Sequence, residues 1–411
     1  MSDRKLMYLN GLRGLAALMV VFSHYTLSFF PALHTGIKND SHNSFEVLAS
    51  ASPINVIYNG SFAVFIFFIL SGFVLSYKYW SQDKFGFSDL LSNIVKRYFR
   101  LNIPIAVSIM LAFLLLSLGL FYNKDFIGLN DSLKWLPGIY GFSSDFIEAL
   151  KEAVYGVIIY GKQNYNLILW TLKYEFYGSI MIYIFMFLFR KTKIRFILYP
   201  LLLILFWNSY YLAFFLGLLL SDLYASDRLI IKNRLIISLM FLIAIFFGSY
   251  PWREQFGEPT HLYGFLKFNF LMVDSYYNFY HTAGAFLLLI CVLNTNLIKK
   301  ILASRVCVFL GEISFSLYLL HLLILCSFSS YVMNHLTAHL SYNLSFSIMF
   351  ILSLAVLFTV SYLYYKYVDL FGIKSAVTAV RTIKLLNTKE DVATFLPFKS
   401  KPWDNYISKD N

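Results

Sequence analysis

The chain has 411 residues, of which 59% are hydrophobic and only 14% charged, and its mean hydropathy is +0.64. An ordinary soluble domain is about one quarter charged, so the composition excludes a water-soluble globular protein and places the chain in a bilayer. The formal net charge of +12 calls for no nucleic acid, since positively charged cytoplasmic loops facing anionic headgroups account for it.

Apolar runs approaching the ~20 residues needed to cross a hydrocarbon core recur along the sequence. They predict an all-α polytopic integral membrane protein with about ten transmembrane helices, at 9–30, 57–77, 101–121, 167–189, 195–206, 209–224, 235–250, 278–296, 306–330 and 344–365. The fifth span is short, and only Trp207, Asn208 and Ser209 divide it from the sixth. A tight re-entrant hairpin is the alternative for that pair. With the N-terminus inside, most Lys and Arg fall in inner loops, so both termini are expected in the cytoplasm. The first run is long and lacks a small-residue cleavage site, which marks it as a retained helix and not a signal peptide. Cys291, Cys307 and Cys326 fall within spans eight and nine, where a disulfide framework has no role.

Residues 1–373 read as one transmembrane domain without internal repeats, and 374–411 as a basic cytoplasmic tail, either solvated or carrying a short surface helix at 375–386. Two outer loops are long, 31–56 and 122–166. The second contains an apolar segment, 148–161, too short to span.

Ionisable residues within spans are costly and face a cavity or a partner. Eleven residues turn a helix through about 1100°, three turns plus roughly 20°, so Arg13 and His24 share one face, ~16 Å apart. Arg13, near the inner end, either snorkels or binds; His24 is a candidate for chemistry. In span four, Thr171, Glu175, Gly178 and Ser179 share a face, and Lys173 points elsewhere, so Glu175 must find its partner on another helix. In span nine, Gly311, Ser314, Tyr318 and His321 form one stripe. Counted from the outer helix ends, His24, Glu175 and His321 fall roughly 9 to 14 Å deep, at one level, which suggests one site. Ser71 and Gly72 in span two sit lower and serve either close helix packing or a ligand. Lys96, Arg97 and Arg100 precede span three at the inner surface, where they suit phosphates or simply obey the charge bias of inner loops.

Taken together, these residues carry a family likeness. The chain resembles the acyltransferase 3 family of integral membrane O-acyltransferases. The likeness rests on Arg13 and His24 in YLNGLRGLAALMVVFSH, on FFILSGFVLS at 67–76, and on Arg97 and Arg100 before Pro104. It rests further on the WTLxxEF element from Trp170 to Phe176 and on ISFSLYLLH at 313–321. Many members carry a Glu-x-Pro-like element at the end of the last helix, where this chain has Asp369 and no proline.

The resemblance implies an acyl-CoA donor, usually acetyl-CoA, bound from the cytoplasm as a substrate with no permanently bound cofactor, and transfer to a hydroxyl of an extracytoplasmic or lipid-linked glycan. It implies residence in a bacterial inner membrane. Arg13, Arg97 and Arg100 are then expected to hold CoA phosphates through charge-assisted contacts, with the acyl end passing Ser71 and Gly72. His24 is expected to act as general base, or as a covalent acyl carrier, with Glu175 orienting it. His321 and Tyr318 are expected to position the donor or polarise the thioester.

Rival readings are weaker. None of the eight histidines is followed five positions later by aspartate, which removes the soluble acyltransferases that use His-x4-Asp. His335 and His339 lack a third metal ligand. A transporter or flippase remains the alternative, since charged residues inside helices also mark transport pathways, although repeated halves are missing.

Overall fold

The computed structural model describes residues 6–82, 84–125, 135–268 and 271–387. Within these the chain is helical, with no strand among the described residues. The protein is an all-α polytopic membrane protein. Ten helices form its frame: α1 (Met7–Phe29), α2 (Gly60–Trp80), α3 (Phe87–Ser117), α4 (Trp170–Phe189), α5 (Arg195–Leu205), α6 (Tyr211–Ala225), α7 (Arg234–Gly248), α8 (Tyr276–Asn294), α9 (Arg305–Ile324) and α10 (Tyr342–Tyr364). Eight helical segments of the described residues are long and apolar enough to cross a membrane.

The other two are α5 and α6, of 11 and 15 residues, or ~17 and ~23 Å at 1.5 Å per residue, short of a full crossing. Eight of the ten expected spans thus have the length and composition for a crossing, and the weakest pair in the sequence is a short helical hairpin, the alternative given for it. The two helices of that hairpin differ. α6 packs on α2 and is largely buried, whereas α5 exposes Ile197, Leu201, Ile204 and Leu205.

Helix packing follows the small residues. A Cβ on Gly14 of α1 would lie 2.5 Å from the backbone nitrogen of Gly311 in α9, and one on Gly311 would lie 2.2 Å from the Asn10 carbonyl oxygen. α1 and α9 therefore touch backbone to backbone, and they form the most extensive helix pair in the molecule. α2 meets α6 in the same way. A Cβ on Gly72 would lie 2.1 Å from the Phe214 carbonyl oxygen, so Gly72 serves close packing against α6.

Two helices run past their expected ends. α9 continues through a π-helical stretch, Leu325–Ser329, into Ser330–Leu336. α10 continues through another, Tyr365–Asp369, into Leu370–Asn387. That last helix packs on α3 with Ala376 and Val380 buried, so the chain has no break at 373, and the expected tail beyond 387 lies outside the described residues. The apolar segment of the second long loop forms Phe146–Lys151 and a π-helix, Glu152–Tyr160, against α3 and α4.

Candidate active site

Two polar groups inside the bundle gather the residues singled out in the sequence. We call the end that holds the start of α1 basal and the opposite end distal.

The distal group centres on His24, near the end of α1. The Nδ1 of His321 lies 3.1 Å from the Leu317 carbonyl oxygen. A carbonyl only accepts, so this nitrogen carries the ring proton and the Nε2 of neutral His321 is a lone pair. That lone pair is 2.8 Å from the Nδ1 of His24. His24 must donate there, which leaves its own Nε2 as the basic nitrogen. His24 is half-buried and His321 fully buried. One ring can meet a substrate, and the other can only orient its neighbour. Trp135 stacks on His24 with ring centres 5.4 Å apart and planes 7° from parallel. Trp135 was not legible in the sequence, because its long loop gives no periodic signal to tie it to α1.

Tyr318 has a different task from the one expected of it. Its hydroxyl is 2.7 Å from the Ile168 carbonyl oxygen and 2.7 Å from Thr171 Oγ1. The proton goes to the carbonyl, so the phenol ties α9 to the start of α4 and has no proton left for a thioester.

The second group lies toward the basal side. Glu175 of α4 accepts from Arg97 of α3 and, at 2.5 Å, from Ser71 Oγ of α2. Arg97 Nε donates to Ser179 Oγ at 2.9 Å. This carboxylate finds its partner on another helix, as the helical angles require, but the partner is Arg97 and not His24. Counting residues from helix ends had placed Ser71 below Glu175. The structure brings them into contact, because rise along one helix does not measure depth when neighbouring helices begin at different heights.

Arg97 is therefore engaged by a carboxylate and a hydroxyl through two of its five N–H donors. Arg13 and Arg100 remain, half-buried and exposed respectively, and neither makes a direct ion pair among the described residues. Both lie within electrostatic reach of Glu175 and of Asp369. Asp369 is buried. The sequence analysis noted it only as a departure from a family pattern, whereas the π-helical stretch before Leu370 brings it to the arginines.

His34 was also missed. It is buried in the short helix after α1, with its Nε2 2.8 Å from Thr26 Oγ1, and it lies within electrostatic reach of His24. Burial pushes its imidazole down to about 4, so the ring is neutral at pH 7. Its place just past the helix that carries His24 was the one signal available. No group of three or more metal-ligating side chains occurs among the described residues.

The sequence comparisons agree with this geometry. The family model described as an acyltransferase domain matches residues 6–366, a range that includes every residue of both groups except Asp369. The chain is similar to the O-acetyltransferase PaAT-1 of Phomopsis amygdali, at 27% identity over 220 residues, 47% of this chain. The match covers 43% of that protein, so it spans less than half of the relative's length. No solved structure matches the chain. With a family match that runs through almost the whole helical bundle, the chain belongs to the acyltransferase 3 family of membrane proteins.

Proposed function

We propose that the protein is a membrane O-acyltransferase that moves an acyl group, acetyl foremost, from cytoplasmic acyl-CoA to a hydroxyl of an extracytoplasmic or lipid-linked glycan. The observation that carries this reading is the His24–His321 contact of 2.8 Å, which leaves a single lone pair on an accessible imidazole. That is the state a general base needs near neutral pH.

In the transfer step, His24 Nε2 takes the proton from the acceptor hydroxyl as its oxygen attacks the thioester carbonyl. The C–S bond breaks, an ester forms, and the proton passes to the departing CoA thiolate. The positive charge that His24 holds in between is shared through Nδ1–H with the His321 lone pair. On the basal side, Arg13 and Arg100 supply two cations for CoA phosphates. Asp369 keeps the pair from repelling one another when no donor is bound. Family membership supports acyl transfer, and the O-acetyltransferase activity named for the fungal relative supports an oxygen acceptor and an acetyl group. The donor as a CoA thioester and the glycan as acceptor follow from the family resemblance.

The test follows labelled acetyl groups from acetyl-CoA to surface glycan in membranes holding the full chain or its His24→Ala variant. General-base catalysis contributes about 10²- to 10⁴-fold, so transfer by the variant should fall by at least that lower figure while its level in the membrane is unchanged. Transfer at the wild-type rate would remove His24 from the chemistry. A wild-type protein that labels no glycan would remove the acceptor class.

A further inference from the structure

A cavity lies apart from both groups, at the distal end of the bundle between α2, α6 and α8. Its enclosed volume is about 50 Å³, room for roughly three to five waters, so it takes in one edge of a larger ligand whose remainder lies at the open distal surface. Trp207, Tyr210 and Phe279 supply aromatic walls, and Asn208, Asp274 and Asn278 supply polar ones.

The walls are fixed in advance. Trp207 Nε1 donates to the Leu271 carbonyl at 3.0 Å. Asn208 Nδ2 donates to the Met272 carbonyl at 3.1 Å and to Asp274 Oδ1 at 3.3 Å, while the Asp274 N–H returns to Asn208 Oδ1 at 3.3 Å. The turn between α5 and α6 is thereby locked to the segment before α8, so little ordering cost remains for a ligand. Trp207, Asn208 and Asp274 are all exposed, which opens the cavity to the distal surface. The Asn278 side chain lies against Tyr210 and caps no helix.

The chemistry of the walls selects among ligands. No Lys, Arg or His lines the cavity, and its one charged group is a carboxylate, so a phosphate or carboxylate ligand is repelled. Aromatic rings beside a carboxylate also suit a quaternary ammonium. Such a cation, however, has no N–H or O–H group to use the Asn278 amide and the hydroxyls of Ser209, Ser275 and Thr282. A neutral ring with one apolar face and several hydroxyls can use those that remain: its C–H face rests on an aromatic wall, and vicinal hydroxyls pair with the Asn278 amide and the Asp274 carboxylate.

We infer that this cavity binds a sugar unit of a glycan, as a holding site for the acceptor chain away from the reacting hydroxyl. The inference rests on the acceptor being a glycan. His24 lies near the same, distal end of the bundle, at the end of α1, while the cavity lies among α2, α6 and α8. A chain held here and reacting at His24 must therefore be more than one sugar long.

The experiment uses the full-length protein, labelled acetyl-CoA, and short or long oligosaccharides cut from the surface polysaccharide of the producing cell. Trp207→Ala and Asn278→Ala should each raise KM for the long chains about tenfold. They should leave kcat, KM for acetyl-CoA and KM for the shortest acceptors unchanged, and Trp207→Phe should keep most of the affinity. An unchanged KM for long chains, or an equal rise for short ones, would overturn the assignment.

A direct titration separates this claim from the proposed reaction. Long oligosaccharide should quench the fluorescence that distinguishes the wild type from Trp207→Phe. Quenching without acetyl transfer would retain the sugar site and remove the proposed acceptor chemistry. Transfer without quenching or a KM effect would do the reverse. Quenching by phosphocholine in place of oligosaccharide would make the cavity a cation cage and overturn the inference.

Discussion

The two polar groups inside the bundle are built on opposite principles. The distal one consists of neutral rings held by hydrogen bonds and stacking, His24 on His321 with Trp135 across its face. The basal one consists of full charges, with Glu175 clamped by Arg97 and Ser71, and Arg13, Arg100 and Asp369 around them. Neutral imidazoles that exchange one proton suit bond-making chemistry, since a proton moves with little rearrangement. Full charges suit holding a polyanion, and in a low dielectric they also hold helices together. The contrast divides labour along α1, which contributes Arg13 to one group and His24 to the other.

The sharpest way to break this division is at Glu175. If the carboxylate is a scaffold, Glu175→Ala strands Arg97 at a site where both side chains are nearly buried, and loss of one partner from such a pair costs about 3 kcal/mol or more. The thermal melt of the full chain in detergent should shift down clearly. Glu175→Gln, which still accepts from Ser71, should shift it less. A Glu175→Ala variant that melts like the wild type but transfers nothing would move the carboxylate from scaffold to chemistry.

A smaller effect is expected at His321, which is buried and acts on the reaction only through His24. It is a positioning residue in this reading. His321→Ala frees the His24 ring to rotate or adopt the other tautomer, and kcat should fall about a hundredfold, with KM for acetyl-CoA unchanged. His321→Gln places an amide oxygen where it can accept from His24 Nδ1–H and should recover most of the rate. A loss of equal size in both variants would mean that the imidazole itself exchanges a proton in the reaction.

Much of this was legible in the sequence, for identifiable reasons. Apolar runs announce membrane helices because the bilayer demands internally satisfied backbone, and eight of the ten expected spans appear. His24 and His321 stood out because an ionisable residue in an apolar run is rarely neutral to selection by physics. Their pairing did not, because it depends on how closely α1 and α9 approach, and that is set by Gly14 and Gly311 meeting backbone to backbone. Glu175 was recognised as needing a partner on another helix. Its match to Arg97 was hidden, since helical angles give direction but not the neighbour that lies there. Trp135 and His34 were missed, and Asp369 was noted without its neighbours, because loops and π-helical turns break the periodicity on which such reading depends.

The smallest expected effect is a pH dependence confined to His34, and it tests whether the distal end depends on neutral imidazoles. Burial holds the folded ring at about 4, whereas a free histidine titrates near 6.5. Between these values the unfolded chain binds the extra proton and the folded one does not. Stability contributed by the neutral ring is therefore fully present above about pH 6.5 and falls as the medium is acidified toward 4, by at most about 1.4 kcal/mol per pH unit. His34→Gln keeps a polar group opposite Thr26 but cannot be protonated. Groups that do not interact with His34 cancel in the difference between their melting points, and His24, which does, is removed by repeating the comparison in a His24→Gln background; the difference should be constant above pH 6.5 and should move in favour of the variant as the pH falls to 5. A difference that stays flat across this range would show that the His34 pocket admits the charged ring. The distal end would then tolerate charge as the basal end does, and the division along α1 would lose one of its supports.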